Sequence, residues 1–99
     1  MNVEYSRQFV KAAYKLTGKY KKSLQHILKE VMQVEDLANL SDCIKMVGSQ
    51  NSYRIKIGDY RLIFIYRVEN QVITFELLLS RSEIYRKEHE MYLRKKEKD

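Results

Sequence analysis

The chain contains no proline and no tryptophan among its 99 residues, and it has only three glycines and one cysteine. Because chain-breaking residues are so scarce, we expect few long loops. Cys43 has no partner for an intrachain disulfide, which excludes a disulfide scaffold and is typical of a reducing compartment. The first residues, MNVEYSRQF, carry no apolar signal core, and no apolar run approaches the length of a membrane span. These absences predict a cytoplasmic domain without a membrane partner.

The residues that are present suit one small domain, 1–99, with a basic surface. Hydrophobic residues make up 44% of the chain, which is enough to form a core. The net charge is +6, and an excess of this kind favours a polyanionic partner such as nucleic acid, a membrane surface or an acidic protein segment. Solubility alone also accounts for a charge of this size. The net charge alone therefore does not indicate a function, and sequence motifs must decide between these explanations.

The first half of the chain has helical periodicity. Ser6 is placed to cap a first helix, which we expect to end at Gly18. A second helix follows, with apolar residues at helical spacing from Tyr20 to Met32. Residues 35–47 are expected to form a loop with a short helical turn. Residues 1–5 alternate weakly and are interpreted as a first edge strand.

From Tyr53 onward the apolar period changes to two. Gly58-Asp59 is a tight-turn signal between two strands, and the second strand, 60–66, has the continuous apolar run of a central strand. A third strand is predicted over 72–79. A charged helix then runs from Ser82 to about Lys98, and residues 94–99 are expected to fray.

These elements predict an α+β fold in the order β-α-α-β-β-β-α. A helical hairpin would cover one face of a small, twisted, mainly antiparallel sheet. The opposite face would stay open. Alternation places Arg54 and Lys56 on that open face if Tyr53, Ile55 and Ile57 point to the core.

Three segments of the second half resemble one known superfamily. They are KMVG (45–48), YRIKIGDYRLIF (53–64) and SRSEIYR (80–86). Their order and spacing resemble the RelE/ParE superfamily of toxins from type II toxin–antitoxin modules. Arginines at both strand positions and the late tyrosine make the chain more similar to the RelE-like branch, which implies a ribosome-dependent endoribonuclease that cleaves mRNA. The resemblance also implies a cognate antitoxin as partner in a hetero-oligomer, besides ribosome and mRNA.

Metal-free RNA cleavage assigns roles to several of these residues. The 2′-hydroxyl attacks the scissile phosphate, so the growing charge must be stabilised and two protons moved. Arg61 and Arg81 suit the charge, because guanidinium groups bind phosphate oxygens and remain protonated. Tyr85 is the candidate for proton transfer or for stacking on a base. No cofactor or metal is expected, since two histidines on separate predicted helices make no metal site.

Three further cations are candidates for binding the RNA backbone: Arg54, Lys56 and Lys45. A solvated hairpin face also accounts for Arg54 and Lys56, and packing against the sheet also accounts for Tyr85. Arg67 is interpreted as a surface charge. Many relatives carry histidine where this chain has Ser80, so no residue that titrates near neutrality is evident and the general base is not assigned.

Two other functions remain compatible with the sequence. A ParE-like protein would inhibit DNA gyrase by binding it, without nuclease activity. A basic module would bind RNA without cleaving it, and binding that weakens steeply with salt would be common to both RNA-directed functions.

Overall fold

The computed structural model describes residues 1–40 and 42–98, and in this part of the chain it contains five strands and three α-helices. In chain order these are β1 (Asn2–Tyr5), α1 (Arg7–Lys15), α2 (Gly18–Gln33), β2 (Cys43–Lys45), β3 (Ser52–Ile57), β4 (Tyr60–Arg67), β5 (Val72–Ser80) and α3 (Lys87–Glu97). The strands form one sheet in the order β1-β5-β4-β3-β2. β1 pairs with β5 in parallel, and the other neighbours are antiparallel. The predicted α+β class and mainly antiparallel sheet are confirmed.

The start of α1 follows the predicted capping chemistry. Ser6 is extended, and its Oγ accepts the backbone N–H of Phe9 at 3.0 Å. The predicted end at Gly18 is wrong, because α1 already stops at Lys15. Leu16 and Thr17 are extended, and Gly18 opens α2 with a φ of +60°, a backbone conformation that favours glycine.

Both helices cover the same face of the sheet, as predicted. Their apolar side chains pack on a cluster from the three central strands and shield it from water. The cluster includes Phe9, Leu16, Leu24 and Val31 from the helical half and Ile55, Leu62, Phe64, Ile73 and Phe75 from the sheet.

The opposite face is not open along its whole length, so that prediction is corrected. α3 and the segment before it place Leu93 and Ile84 on this face. They cover Ile63, Ile65, Leu77 and Leu79 of β4 and β5. The physical reason lies in the central strands, which are apolar on both sides and therefore require a cover on each.

The stretch predicted as a loop contains both a helical turn and a strand. Leu37–Asn39 forms a 3-10 turn, which Asp36 caps by accepting the Ala38 N–H at 3.0 Å. Cys43–Lys45 adds β2 to the edge of β3, with Ile44 opposite Arg54. Three residues are too few to show an alternating pattern, so this strand has no clear sequence signal.

The C-terminal helix differs from its prediction at its start. Residues 81–85 form turns, and α3 begins at Lys87 instead of near Ser82. Ser80 N–H and Oγ both donate to Glu83 Oε1, which holds a compact turn at this point. α3 reaches Glu97, whose carboxylate accepts the Ser52 hydroxyl at 2.6 Å, and the fraying of residues 94–99 stays a prediction. Asp99 lies outside the described residues.

Within residues 1–40 and 42–98, no helix is both long and apolar enough to cross a membrane.

Candidate active site

A cleft of about 530 Å³ opens at the end of the second sheet face that α3 does not cover. Its cationic and aromatic lining consists of Arg54, Lys56, Arg61, Arg81 and Tyr85. The cleft therefore brings together five of the six residues that the sequence proposed as catalytic or RNA-binding.

The strand register explains how these cations converge. Arg54 lies opposite Ile63, and Lys56 lies opposite Arg61, so all of these side chains belong to the second face. On β5, Leu77 and Leu79 share that face, and Arg81 follows in the same alternation. The backbone N–H of Arg81 donates to the Asp59 carbonyl at 2.7 Å, which fixes the end of β5 against the β3–β4 turn.

Arg61 is held in place by neutral groups. Arg61 Nη1 donates to the backbone carbonyl of Gly58 at 3.0 Å and to the backbone carbonyl of Tyr60 at 2.9 Å. These bonds orient the guanidinium without neutralising it, and its other N–H groups remain available to an anion.

The cationic side chains of the cleft lack acidic partners. Among the described carboxylates, none forms a salt bridge with Arg54, Lys56, Arg61 or Arg81 within 4.0 Å. These four positive charges outnumber the carboxylates of the cleft, so the local potential is positive. Such a surface binds phosphate oxygens with charge-assisted hydrogen bonds.

Two carboxylates that the sequence reasoning did not select also line the cleft, Asp42 and Asp59. The sequence indicated Asp59 only as a turn residue. Its position between two strands that carry cations at their ends could have predicted that it lies beside the site. Its Oδ2 accepts the Tyr20 hydroxyl at 3.2 Å, and the negative charge of Asp59 raises the pKa of Tyr20. Asp42 has a φ of +57° just before β2 and has no comparable signal in the sequence.

Tyr85 occupies a turn before α3 instead of the first turn of a helix. Its side chain is 80% exposed, and its hydroxyl makes no hydrogen bond to a described residue. A ring in this position does not contribute to the core. It is free to contact a ligand in the cleft, which weakens the packing interpretation of this residue.

Lys45 is the sequence candidate that does not line the cleft. It lies on β2 opposite Tyr53, while its neighbour Ile44 lies opposite Arg54 and lines the cleft. The alternation of β2 thus directs an apolar residue to the cleft, and Lys45 lines the adjoining groove between β2 and α3 instead.

Other titratable side chains of β5, of the turn after it and of α3 make their contacts outside the cleft. Glu83 accepts hydrogen bonds from Ser80, including one from Ser80 Oγ to Glu83 Oε1 at 2.6 Å, and these bonds lower the pKa of Glu83. Glu76 is buried and accepts the Tyr92 hydroxyl at 2.9 Å, away from the cleft. The side chain of His89 is only 19% exposed, and it lines a groove between β2 and α3 that adjoins the cleft.

The described residues contain no group of three or more His, Cys, Asp or Glu side chains arranged to hold a metal ion. Burial raises the pKa of the Cys43 thiol, which disfavours the nucleophilic thiolate. The chemistry available in the cleft is therefore that of arginine, lysine, tyrosine and carboxylate groups. Groups of these kinds are able to position a phosphate and to stabilise charge on it.

Comparison with known proteins agrees with this geometry. No protein-family model matches the chain. The chain is 33% identical to Toxin RelE3 of Methanocaldococcus jannaschii over 86 residues, which cover 86% of this chain and 96% of the relative.

Solved structures show the same likeness. A chain of the RelB–RelE antitoxin–toxin complex from Methanococcus jannaschii superposes with a TM-score of 0.71 and 30% identity, covering 83% of this chain and 94% of that one. A chain of the archaeal RelE–RelB complex from Pyrococcus horikoshii gives a TM-score of 0.66 and 26% identity, with coverages of 81% and 93%. The identity and near-complete coverage of the curated relative, together with the shared fold, place this chain in the RelE family of toxins.

Proposed function

We propose that this chain is the toxin of a type II toxin–antitoxin module and that it inhibits translation by cleaving mRNA on the ribosome. The observation that carries the proposal is the cleft itself. It gathers four cations that form no salt bridge with a described carboxylate, and one exposed tyrosine, at one end of the sheet. A gyrase-binding toxin needs no such preformed phosphate site.

The proposed reaction is an attack by the 2′-hydroxyl of RNA on the adjacent phosphorus. A bond forms between the 2′-oxygen and phosphorus while the bond from phosphorus to the 5′-oxygen breaks. The products are a 2′,3′-cyclic phosphate and a 5′-hydroxyl. One proton leaves the 2′-oxygen, and one proton is delivered to the 5′-oxygen. DNA lacks the attacking group, so the reaction is specific for RNA.

Arg61 and Arg81 stabilise the charge on the phosphate in this proposal. Arg61 lies on β4 and Arg81 directly follows the neighbouring strand β5, and the bond from Arg81 N–H to the Asp59 carbonyl holds the end of β5 against the β3–β4 turn. Because two backbone carbonyls place the Arg61 guanidinium before the substrate binds, little reorganisation of this group is needed as the negative charge grows. Arg54 and Lys56 bind the flanking phosphates, and Tyr85 acts on a proton or a base.

A cognate antitoxin is the proposed protein partner. Two similar structures are complexes of RelE with RelB. A segment with negative charge would neutralise part of the net charge of +6 and cover the cationic cleft. Binding of this kind would block access of RNA to Arg61 and Arg81.

The decisive experiment compares Arg61→Ala and Arg81→Ala with Arg7→Ala, which removes an exposed arginine of α1. Induced expression is followed by growth measurement and by primer extension on mRNA from translating ribosomes. New 5′ ends and growth arrest are expected with the unaltered chain and with Arg7→Ala, and neither is expected with the cleft variants.

Thermal unfolding of each purified variant verifies that the fold is retained. Growth arrest that survives in both cleft variants would overturn the assignment of these arginines. Arrest without new mRNA ends, accompanied by loss of gyrase supercoiling, would instead identify the gyrase-directed function.

A further inference from the structure

A second groove, of about 420 Å³, lies between α2 and the β3–β4 turn. α2 contributes Lys22, Ser23 and His26, and the hairpin contributes Lys56 and Gly58. The helical layer and the sheet therefore both line this groove, and it is separate from the cleft that holds Arg61 and Arg81.

Lys56 joins the groove to the cleft, because it lines both of them. The pairing of β2 with β3 ends at Cys43 opposite Ile55, so β2 does not cover the edge of β3 at Lys56. A chain of phosphates that leaves the cleft here passes no paired strand, but it does pass Asp42, which precedes β2 and also lines the cleft.

The electrostatics of the groove have a single sign. Lys22 and Lys56 are exposed, and no acidic residue is among the described residues that line it. The His26 side chain is also exposed, and the Glu30 carboxylate, which lies 4.0 Å from His26 Nε2, is outside the lining. A negatively charged backbone that enters the groove thus meets cations on both walls.

We propose that this groove binds the phosphate backbone of the same RNA strand that occupies the cleft, so that the bound strand runs from Lys22 over Lys56 to Arg61. The proposal rests on the proposed function for the identity of the strand, but binding is measured without cleavage. A cationic groove that follows the backbone is the usual way in which proteins hold single-stranded nucleic acid. Lys22 is therefore a substrate-positioning residue outside the reacting centre.

The test measures the affinity of the full chain for a single-stranded RNA that carries a 2′-deoxy substitution at the scissile position. Lys22→Ala is compared with Lys29→Ala, an exposed lysine of the same helix that does not line the groove. Both variants lose one charge, so a nonspecific effect of net charge would be equal in both. Thermal unfolding verifies that both are folded.

Lys22→Ala is expected to reduce the slope of log affinity against log salt by about 0.7, the value for one phosphate contact on a single strand. The same slope predicts an affinity loss of about fivefold near 0.1 M salt. Lys29→Ala should change the slope much less. A shortened RNA that fills only the cleft should bind both variants equally.

Equal slopes for Lys22→Ala and Lys29→Ala would overturn the proposal. It would also be overturned if Lys22→Ala weakened the binding of an acidic peptide but not that of RNA, because the groove would then be a protein-binding surface. Failure of the proposed function has a different signature: mRNA with its 2′-hydroxyl groups, bound on translating ribosomes, would remain uncut by the unaltered chain, whatever the salt slopes.

Discussion

Lys56 of β3 lies directly opposite Arg61 of β4 in the antiparallel ladder. Two like charges in facing positions destabilise a sheet, and here no described carboxylate bridges them within 4.0 Å. A residue pair chosen only for folding would have opposite charges or complementary apolar shapes. The pair therefore indicates that the hairpin is less stable than it could be because the cleft requires positive charge.

Replacing Lys56 with threonine is expected to raise the free energy of unfolding by about 0.2–1 kcal/mol. Threonine removes the repulsion and has high strand propensity. Chemical denaturation measures the change, and RNA cleavage by the same variant should fall.

Lys45→Thr is the matched control for stability. Lys45 is also an exposed strand lysine, but its cross-strand neighbour is Tyr53, which carries no positive charge to repel it. A gain in Lys45→Thr as large as that in Lys56→Thr would show that strand propensity alone explains the result.

The carboxylate of Glu97 fastens the end of α3 to the loop before β3. Oε1 accepts the buried Ser52 hydroxyl at 2.6 Å, and Oε2 accepts the Gln50 N–H at 2.9 Å. Glu97→Ala leaves these donors without their partner, so the free energy of unfolding should fall by about 1–3 kcal/mol. Chemical denaturation gives the magnitude, and amide hydrogen exchange should show faster opening of α3.

Glu97→Gln tests how much of this contact a single acceptor oxygen maintains. The amide retains one carbonyl oxygen as acceptor but loses the second, so its loss of stability should be intermediate. Wild-type exchange rates in α3 of Glu97→Ala would contradict the fastening role.

The hairpin and its cations could be predicted from sequence because their signals are local. A period of two from Tyr53, interrupted by Gly58-Asp59, defines two strands and places Arg54 and Lys56 on one face. The register then follows from the turn length, which brings Lys56 opposite Arg61.

The remaining contacts are long-range and have no local pattern. Arg67 was interpreted as a surface charge, yet its guanidinium donates to the Lys96 carbonyl at 2.9 Å and to the Thr74 hydroxyl at 3.3 Å. Asp42 reaches the cleft only because β2 joins the sheet edge. Such placements depend on tertiary packing, which a window of neighbouring residues does not encode.

Tyr92 predicts how stability responds to alkaline pH. Burial, together with the hydrogen bond to Glu76, raises the pKa of Tyr92 to about 12 from a reference of 10.0. The unfolded chain therefore loses this proton at lower pH than the folded chain does. The contribution of Tyr92 to stability is complete below pH 10 and is lost as pH rises toward about 12.

The measurement is the free energy of unfolding against pH for the unaltered chain and for Tyr92→Phe. Subtracting the two curves removes the titration of the other tyrosines. The difference should be constant below pH 10 and should shrink between pH 10 and about 12. A difference that stays constant across this range would contradict a raised pKa in the folded state.

Tyr85 offers a means of separating proton transfer from base stacking in the cleft. Tyr85→Phe keeps the aromatic face and removes the hydroxyl, whereas Tyr85→Ala removes both. If the hydroxyl moves a proton, single-turnover cleavage by Tyr85→Phe should be about 10²–10⁴-fold slower while RNA affinity is retained. If the ring only stacks on a base, Tyr85→Phe should cleave normally and Tyr85→Ala should lose about 1–3 kcal/mol of binding.

Neither change should alter thermal unfolding, because the side chain is 80% exposed and lies outside both core clusters. Wild-type cleavage and binding in both variants would exclude Tyr85 from the site and leave the chemistry to the arginines and carboxylates of the cleft.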